Sequence, residues 1–425
     1  MPRRLWLWIA GTVVLTLVAV LLAVNLLGGE TKIERRLERL YSIDNPQFVR
    51  DLGFLLGPPV ITGNRYRVLL NGDQIFPPML AAIRSAKQSI TFETYIYWSG
   101  DIGKAFADAL SERARAGVRT HVLLDWLGSV KMDEDLLEQM KRAGVELQRF
   151  HPPHWTHLSR LNNRTHRKLL VVDGRIGFTG GVGIAPEWTG NAQDPKHWRD
   201  THFEIEGPVV AQMQAVFLDN WIKASGEVLH GDRYFPVVAP VGDGPAQMFS
   251  SSPTGGSESM QLMYLLAITS AAKTIDLSAS YFVPDDLSRA ALLEALKRGV
   301  RLRIVVPGEH IDSDTVRNAS RATWGPLLAA GAVIAEYEPT MYHCKVMIVD
   351  GLLVSVGSTN FDNRSFRLND EATLNIIDPA FARQQTQIFE ADLARSRPIS
   401  FAEWNERPLK ERLMERLASL LDSQL

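Results

Sequence analysis

Cysteine is almost absent from this chain. Cys344 is the single one among 425 residues, which excludes an internal disulfide framework. Positive charge is not in surplus either: 46 Lys and Arg stand against 48 Asp and Glu, for a net charge of -2. A balance of this kind lacks the electrostatic footprint of a nucleic-acid binder. No His/Cys group has the spacing of a zinc site. His151, His154 and His157 have no carboxylate or cysteine nearby, so no metal is expected. Long apolar runs are equally scarce, with one stretch, residues 5–27, free of charge. The rest is ordinary for a folded protein, at 45% hydrophobic and 22% charged, and the length allows two or three domains around a large core.

The exceptional run is rich in Leu, Val, Ala and Trp and is long enough to cross a bilayer. A cleaved signal peptide has a shorter apolar region and an A-x-A-like site; "LLAVNLLGGE" offers none, so an uncleaved anchor is expected. Arg3 and Arg4 precede it, while Lys32, Arg35, Arg36 and Arg39 follow, which favours a cytoplasmic C-terminal domain on the cell (inner) membrane. A second run, residues 54–61, is short and broken by Pro58 and Pro59. It reads as a buried segment leading into the next domain rather than one lying in the membrane interface.

Beyond Asn64 the chain repeats itself. "AAIRSAKQSITFETYIYWSGD" and "GVRTHVLLD" return as "LAITSAAKTIDLSASYFVPDD" and "GVRLRIVVP", with Ile275 matching Ile90. Strands alternating with helices indicate an α/β sandwich with helices on both faces of each sheet. The seam falls in the Pro/Gly-rich stretch between Lys223 and Met248. The expected organisation is an anchor at 5–27, halves at 65–225 and 245–408, and an amphipathic helix at 409–425. In that last helix Leu409, Leu413, Leu417, Leu420 and Leu421 share one face, and core packing is the expected use of it.

Each half contains H-x-K-x-x-x-x-D-G. Apolar residues run up to Asp173-Gly174 and to Asp350-Gly351 and away again, a strong hairpin signal. Alternation puts His343 and Lys345 on one strand face, with Cys344 on the other as a core residue. A two-residue turn would pair positions summing to 701 and 347, setting Ser358 opposite His343 and Gly181 opposite His166. If the halves pack about a pseudo-twofold, both histidines meet in one cleft.

Such a cleft has the composition of a phosphate site. Lys168 and Lys345 are point charges for non-bridging oxygens, while Ser358 and Asn360 supply hydrogen bonds. One neutral histidine can attack phosphorus while the other protonates the leaving alcohol and deprotonates the incoming one. This needs no metal and no cofactor. An attacking imidazole wants a carboxylate on its other nitrogen. Asp200 and Glu371, which follow His166 and His343 by 34 and 28 residues, are candidates; either could instead be a surface carboxylate. The turn aspartates have the wrong parity for that task.

These motifs resemble the phospholipase D superfamily over about residues 65–408. "NNRTHRKLLVVDGRIGFTGG", "WRDTHFEIEGP" and "GSTNFDNRSFRLNDEATL" are most similar to bacterial cardiolipin synthases. The resemblance implies a catalytic motif set of His166, Lys168, Asp173, His343, Lys345 and Asp350. Within it His166 would be the nucleophile, His343 the general acid/base, and Asp173 and Asp350 structural. Ser358 and Asn360 would join the lysines in binding phosphate, with Asp200 and Glu371 orienting the histidines. It further implies transfer of a phosphatidyl group from phosphatidylglycerol to a second lipid alcohol, at a membrane, with no nucleic acid and no obligate protein partner. Hydrolysis by a phospholipase D-type phosphodiesterase shares the first step. A nuclease conflicts with the charge balance and the anchor, and a non-catalytic scaffold with two complete H-x-K sets. Two departures stand out: Gly183 occupies a position where Asn is frequent, and one N-terminal span is found where two are usual. Trp155, with Arg160 and Arg164 beyond it, forms either a membrane-facing rim or an aromatic plug.

Overall fold

A computed structural model describes residues 3–27, 33–152, 162–253, 258–421 and 424. Trp155, Arg160, His154 and His157 lie outside them. The first half contributes β1 (Ile61–Leu70), β2 (Ser89–Thr94), β3 (Arg119–Asp125), β4 (Glu146–Phe150), β5 (Arg164–Thr165), β6 (Leu169–Val172), β7 (Ile176–Gly180) and β8 (Thr201–Glu206). The second contributes β9 (Gly244–Ser251), β10 (Thr274–Ala279), β11 (Phe282–Val283), β12 (Arg301–Pro307), β13 (Val333–Tyr337), β14 (Lys345–Val349), β15 (Leu353–Gly357), β16 (Phe361–Asp362), β17 (Asn369–Ile377) and β18 (Ser396–Ile399).

The halves do not form two separate sheets. They join edge to edge through antiparallel pairing of β1 with β9, giving one 16-stranded sheet. Outward from that seam the first half runs β1-β8-β7-β6-β2-β3-β4 and the second runs β9-β17-β15-β14-β10-β12-β13. The two lists correspond strand for strand, which is the pseudo-twofold the repeat implied. Beside this sheet, β11 and β16 make a short parallel pair.

Alternation along the strands sorts side chains into layers. In β14, Val346 and Ile348 enter a core shared by both halves, built around the helices Val210–Ser225 and Pro379–Leu393. Met347 and Val349 face the opposite side, under helices Ser259–Ser270 and Asp314–Ala329. β6 does the same, with Leu169 and Val171 in the shared core and Leu170 and Val172 in a first-half core. Cys344 is buried in the shared core, as its parity required. Helix starts follow ordinary capping chemistry. Asp285 and Ser313 accept from the Ser288 and Val316 amides, and Asp378 caps a helix that begins with Pro379.

Both hairpins turn at Asp-Gly, with Asp173, Gly174, Asp350 and Gly351 all at positive φ. The register differs from the expected one. Val172 pairs with Ile176 and Val349 with Leu353, so a third residue, Arg175 or Leu352, is held out of each ladder. Their amides still close the turn onto Val172 and Val349, at 3.0 Å each. One extra residue slides the pairing by one position. His343 and Ser358 consequently lie outside the ladder rather than opposite each other.

The N-terminal helix Arg3–Leu27 contains a window, Arg4–Ala23, long and apolar enough to cross a membrane. Residues 54–61 end a helix, Pro46–Leu56, that buries Phe48, Leu52 and Leu56 but leaves Phe54 exposed. The C-terminal helix Leu409–Ser419 departs from expectation more sharply. It buries Glu415 and Ala418 while its leucines face outward.

Candidate active site

The histidines are held by the opposite half of the repeat. The His166 amide donates to the Asp370 carbonyl at 2.9 Å, beside a parallel β5–β17 pairing. The His343 amide donates to the Arg199 carbonyl at 2.7 Å, beside a bridge between Arg199 and Tyr342. The residues following those two carbonyls are Glu371 and Asp200. The carboxylates are therefore crossed: Nδ1 of His166 lies 2.9 Å from Glu371, and Nδ1 of His343 lies 2.7 Å from Asp200. Each histidine takes its carboxylate from the other half, because the pseudo-twofold carries the start of β17 to the first histidine and the start of β8 to the second.

The two pairs are supported differently. Glu371 is buried and accepts from the hydroxyls of both Ser358 and Ser365. Asp200 accepts instead from Trp188 Nε1, at 2.9 Å. Around His343 the rings of Trp188 and Trp198 close in at 5.3 and 5.5 Å, while Tyr95 stands edge-on to His166 at 5.3 Å. Lys345 Nζ lies 3.2 Å from both ring nitrogens of His343 and donates to Ser280, which donates to Asn360 Oδ1. Lys168 Nζ is tied to the His166 carbonyl and sits over the Tyr95 ring. Among the described residues no hydrogen-bonding group reaches Nε2 of His166.

The electrostatics are those of buried cationic groups crowded together. Burial pushes His166 down to about 4, against the pull of Glu371. Burial, with Lys345 beside it, pushes His343 down to about 3. Lys168 falls to about 7 through burial first and repulsion from Lys345 second, and Lys345 is likewise lowered by burial. Lys345 acts on His166 and Lys168 on His343, so both H-x-K pairs share one pocket. Glu371 and Asp200 are held below the ordinary carboxylate range by their histidines, which outweigh burial together with the lysines and hydrogen-bond donors.

Asp173 and Asp350 belong to the motif set but stay outside the pocket, in the structural place their turn parity gave them. Asp173 accepts from the Lys87, Gln88 and Ser89 amides, and Asp350 from those of Ala272, Lys273 and Thr274, fixing each hairpin tip to the start of a neighbouring strand. Ser358 donates its hydroxyl proton to Glu371. Asn360 keeps its amide nitrogen unused among the described residues. Gly183 has no room for a matching Asn, since a Cβ there would lie 2.7 Å from Ile96 Cβ. Gly181 is required because a Cβ would meet Asp200 Oδ1 at 2.2 Å. Trp188, Ser280, Tyr95 and Ser365 are site residues that sequence reasoning does not assign; Tyr95 and Ser280 lie inside the quoted repeat and Ser365 inside D-N-R-S-F, but none of these patterns points to a role.

A family model described as "Cardiolipin synthase, PLD-like domain" matches residues 79–221 and 264–393. The chain belongs to this family. It is 34% identical over 392 residues to the cardiolipin synthase of Geobacillus kaustophilus, covering 91% of this chain and 78% of that one. It is 36% identical over 366 residues to a probable cardiolipin synthase of Bacillus subtilis, covering 86% and 73%. Among solved structures it is similar to a phosphatidylserine synthase of Haemophilus influenzae, with TM-score 0.69, 14% identity, and 89% and 99% of the two chains covered. A polyphosphate kinase of Porphyromonas gingivalis shares the fold at TM-score 0.56 and 12% identity, over 93% and 57% of the chains. As a cardiolipin synthase family member the chain is an enzyme of the phosphatidyltransferase class, acting on phospholipids.

Proposed function

We propose that this enzyme joins two phosphatidylglycerol molecules into cardiolipin and glycerol through a phosphohistidine on His166. The observation that carries the reading is the crossed pairing: two imidazoles, each with a carboxylate on Nδ1, share a pocket with two lysines. Nε2 of His166, without a hydrogen-bond partner among the described residues and on a side chain 12% exposed, attacks phosphorus. The bond from phosphorus to the glycerol headgroup breaks as His343 gives its proton to the leaving oxygen. Glu371 stabilises the imidazolium character that develops on His166. Neutral His343 next takes the proton from a hydroxyl of the second phosphatidylglycerol. That oxygen attacks phosphorus, the P–N bond breaks, and His166 is restored. His343 is low in basicity while the pocket is empty; a phosphodiester anion between the lysines raises it toward protonation. Lys168 and Lys345 neutralise the non-bridging oxygens, with the Asn360 amide as a neutral donor.

The reading places the enzyme on the cell (inner) membrane by a single span, with the catalytic halves in the cytoplasm, as the basic residues after residue 27 support. A Val237→Cys variant, at a highly exposed position, would then resist impermeant maleimide in intact cells and react after lysis. For the chemistry, purified wild type given phosphatidylglycerol is expected to form cardiolipin and free glycerol in equal amounts, and His166→Ala to form neither. Phosphatidic acid as the sole lipid product would overturn transfer in favour of hydrolysis.

A further inference from the structure

The helix Leu409–Ser419 is mounted inside out. A polar side chain is on the buried face: Glu415, 1% exposed, accepts from the Arg407 guanidinium, from Nε at 2.9 and 2.7 Å on its two oxygens and from Nη2 at 2.6 Å. Arg321 adds a contact at 3.5 Å. One turn on, Ala418 packs with Val283, Val316 and Ala319, against which Tyr281 also lies. The outward face holds Leu409, Leu413, Met414, Leu417, Leu420 and Leu421, between 47% and 81% exposed. A soluble helix turns such a ridge inward. Here the buried Glu415 pair fixes the opposite orientation, because rotating the helix would strand a carboxylate and a guanidinium without partners.

The buried side of the helix packs close to the pocket. Tyr281 donates to Asp312 on the wall that also holds Tyr95, and Tyr95 touches His166. Beyond the helix, Gln424 accepts from Asn162 and from Arg364, on the segments that lead into His166 and out of Asn360. Lys410, Arg412 and Arg416 flank the ridge and are exposed. An apolar ridge bordered by cations complements anionic phospholipid and opposes pairing with a second copy.

We propose that this helix lies in the membrane interface, its leucines among the acyl chains, and presses the pocket mouth against the lipid surface. The inference rests on the phosphatidyltransferase reading for its purpose but not for its test. Lipid can then pass into the pocket without its tails crossing water.

The test uses the full chain in vesicles of phosphatidylglycerol and phosphatidylcholine. An environment-sensitive fluorophore goes on Leu417→Cys, the native Cys344 being buried, and on Glu406→Cys as an exposed control. The label at 417 is expected to shift to the blue and be quenched by spin-labelled lipid, and the label at 406 to do neither. A water-like signal at 417, or a shift that follows protein concentration without lipid and so reports a second copy, overturns the proposal. Leu413→Ser/Leu417→Ser is expected to lose about tenfold or more in turnover of vesicle-borne phosphatidylglycerol, with turnover of monomeric short-chain phosphatidylglycerol unchanged. Equal losses on both substrates would mark a merely structural helix. If wild type makes no cardiolipin, the catalytic reading fails while the fluorescence still decides the helix.

Discussion

Glu371 receives the Nδ1 proton of His166, a residue 205 positions earlier in the chain and on the other half of the repeat. Asp200 and His343 mirror this at a separation of 143. Neither half can therefore complete a histidine–carboxylate pair alone, and the duplicated architecture is a condition for chemistry.

Removing the charge while keeping the shape tests this relation. Glu371→Gln and Asp200→Asn are each expected to lower kcat by roughly 10³ to 10⁴, the loss seen when a histidine is left in the wrong tautomer. Steady-state cardiolipin formation checks it, with an unchanged near-UV circular dichroism spectrum showing that the fold persists.

The two histidines can be told apart by the leaving group. A phosphatidyl ester of p-nitrophenol needs no proton donor, since its phenolate leaves unaided. His343→Ala is expected to retain a burst of nitrophenolate near one per enzyme and His166→Ala to lose it. Stopped-flow absorbance reads the result; the opposite pattern would exchange the two roles.

The lysines give a pH signature. Lys168 has its pKa lowered to about 7 from a reference of 10.5, so the empty pocket holds one proton fewer above neutrality. Anion binding restores the charge, so sulfate affinity is expected to fall as pH rises through 7. Proton uptake on binding should appear as a dependence of calorimetric heat on the buffer's ionisation enthalpy. For the empty protein, the unfolded chain binds the additional proton between pH 7 and 10.5. This group's contribution to stability consequently increases with pH across that window and is constant below it.

Asp350→Ala should separate folding from catalysis. Its carboxylate holds three backbone amides at 2.7 Å each, and leaving them unpaired costs about 1–3 kcal/mol. A fall in Tm of several degrees is expected, with kcat within a few-fold of wild type at a temperature where the variant is folded. A thousandfold loss of kcat would return Asp350 to the catalytic set.

Gly181→Ala is the converse case. The added methyl collides with Asp200, which can yield only by moving the carboxylate off His343. A displacement near 1 Å costs on the order of 100-fold, so kcat should drop by about that much with little change in Tm.

Much of this was legible along the chain. The internal repeat, the H-x-K pairs, the burial of Cys344 and the Asp-Gly turns are local patterns, decided by strand alternation and by the few residue types that tolerate left-handed backbone. The hairpin register was misjudged because one bulged residue leaves no mark in composition. The partner of Ser358 is not legible in the sequence, because a hydroxyl can donate to a phosphate or to a carboxylate, and the position of Glu371 supplies the one seen here.

By itself the sequence determined which groups could do phosphoryl chemistry and that two equivalent halves would supply them, since periodicity and residue type act over a few neighbours. Tertiary structure alone decided which carboxylate serves which histidine, that Trp188 replaces a serine beneath Asp200, and that the C-terminal leucines face outward. Those outcomes depend on tertiary packing, across 205 positions for His166 and Glu371 and across 12 for Trp188 and Asp200, and not on local preference, which cannot set a side chain's partner.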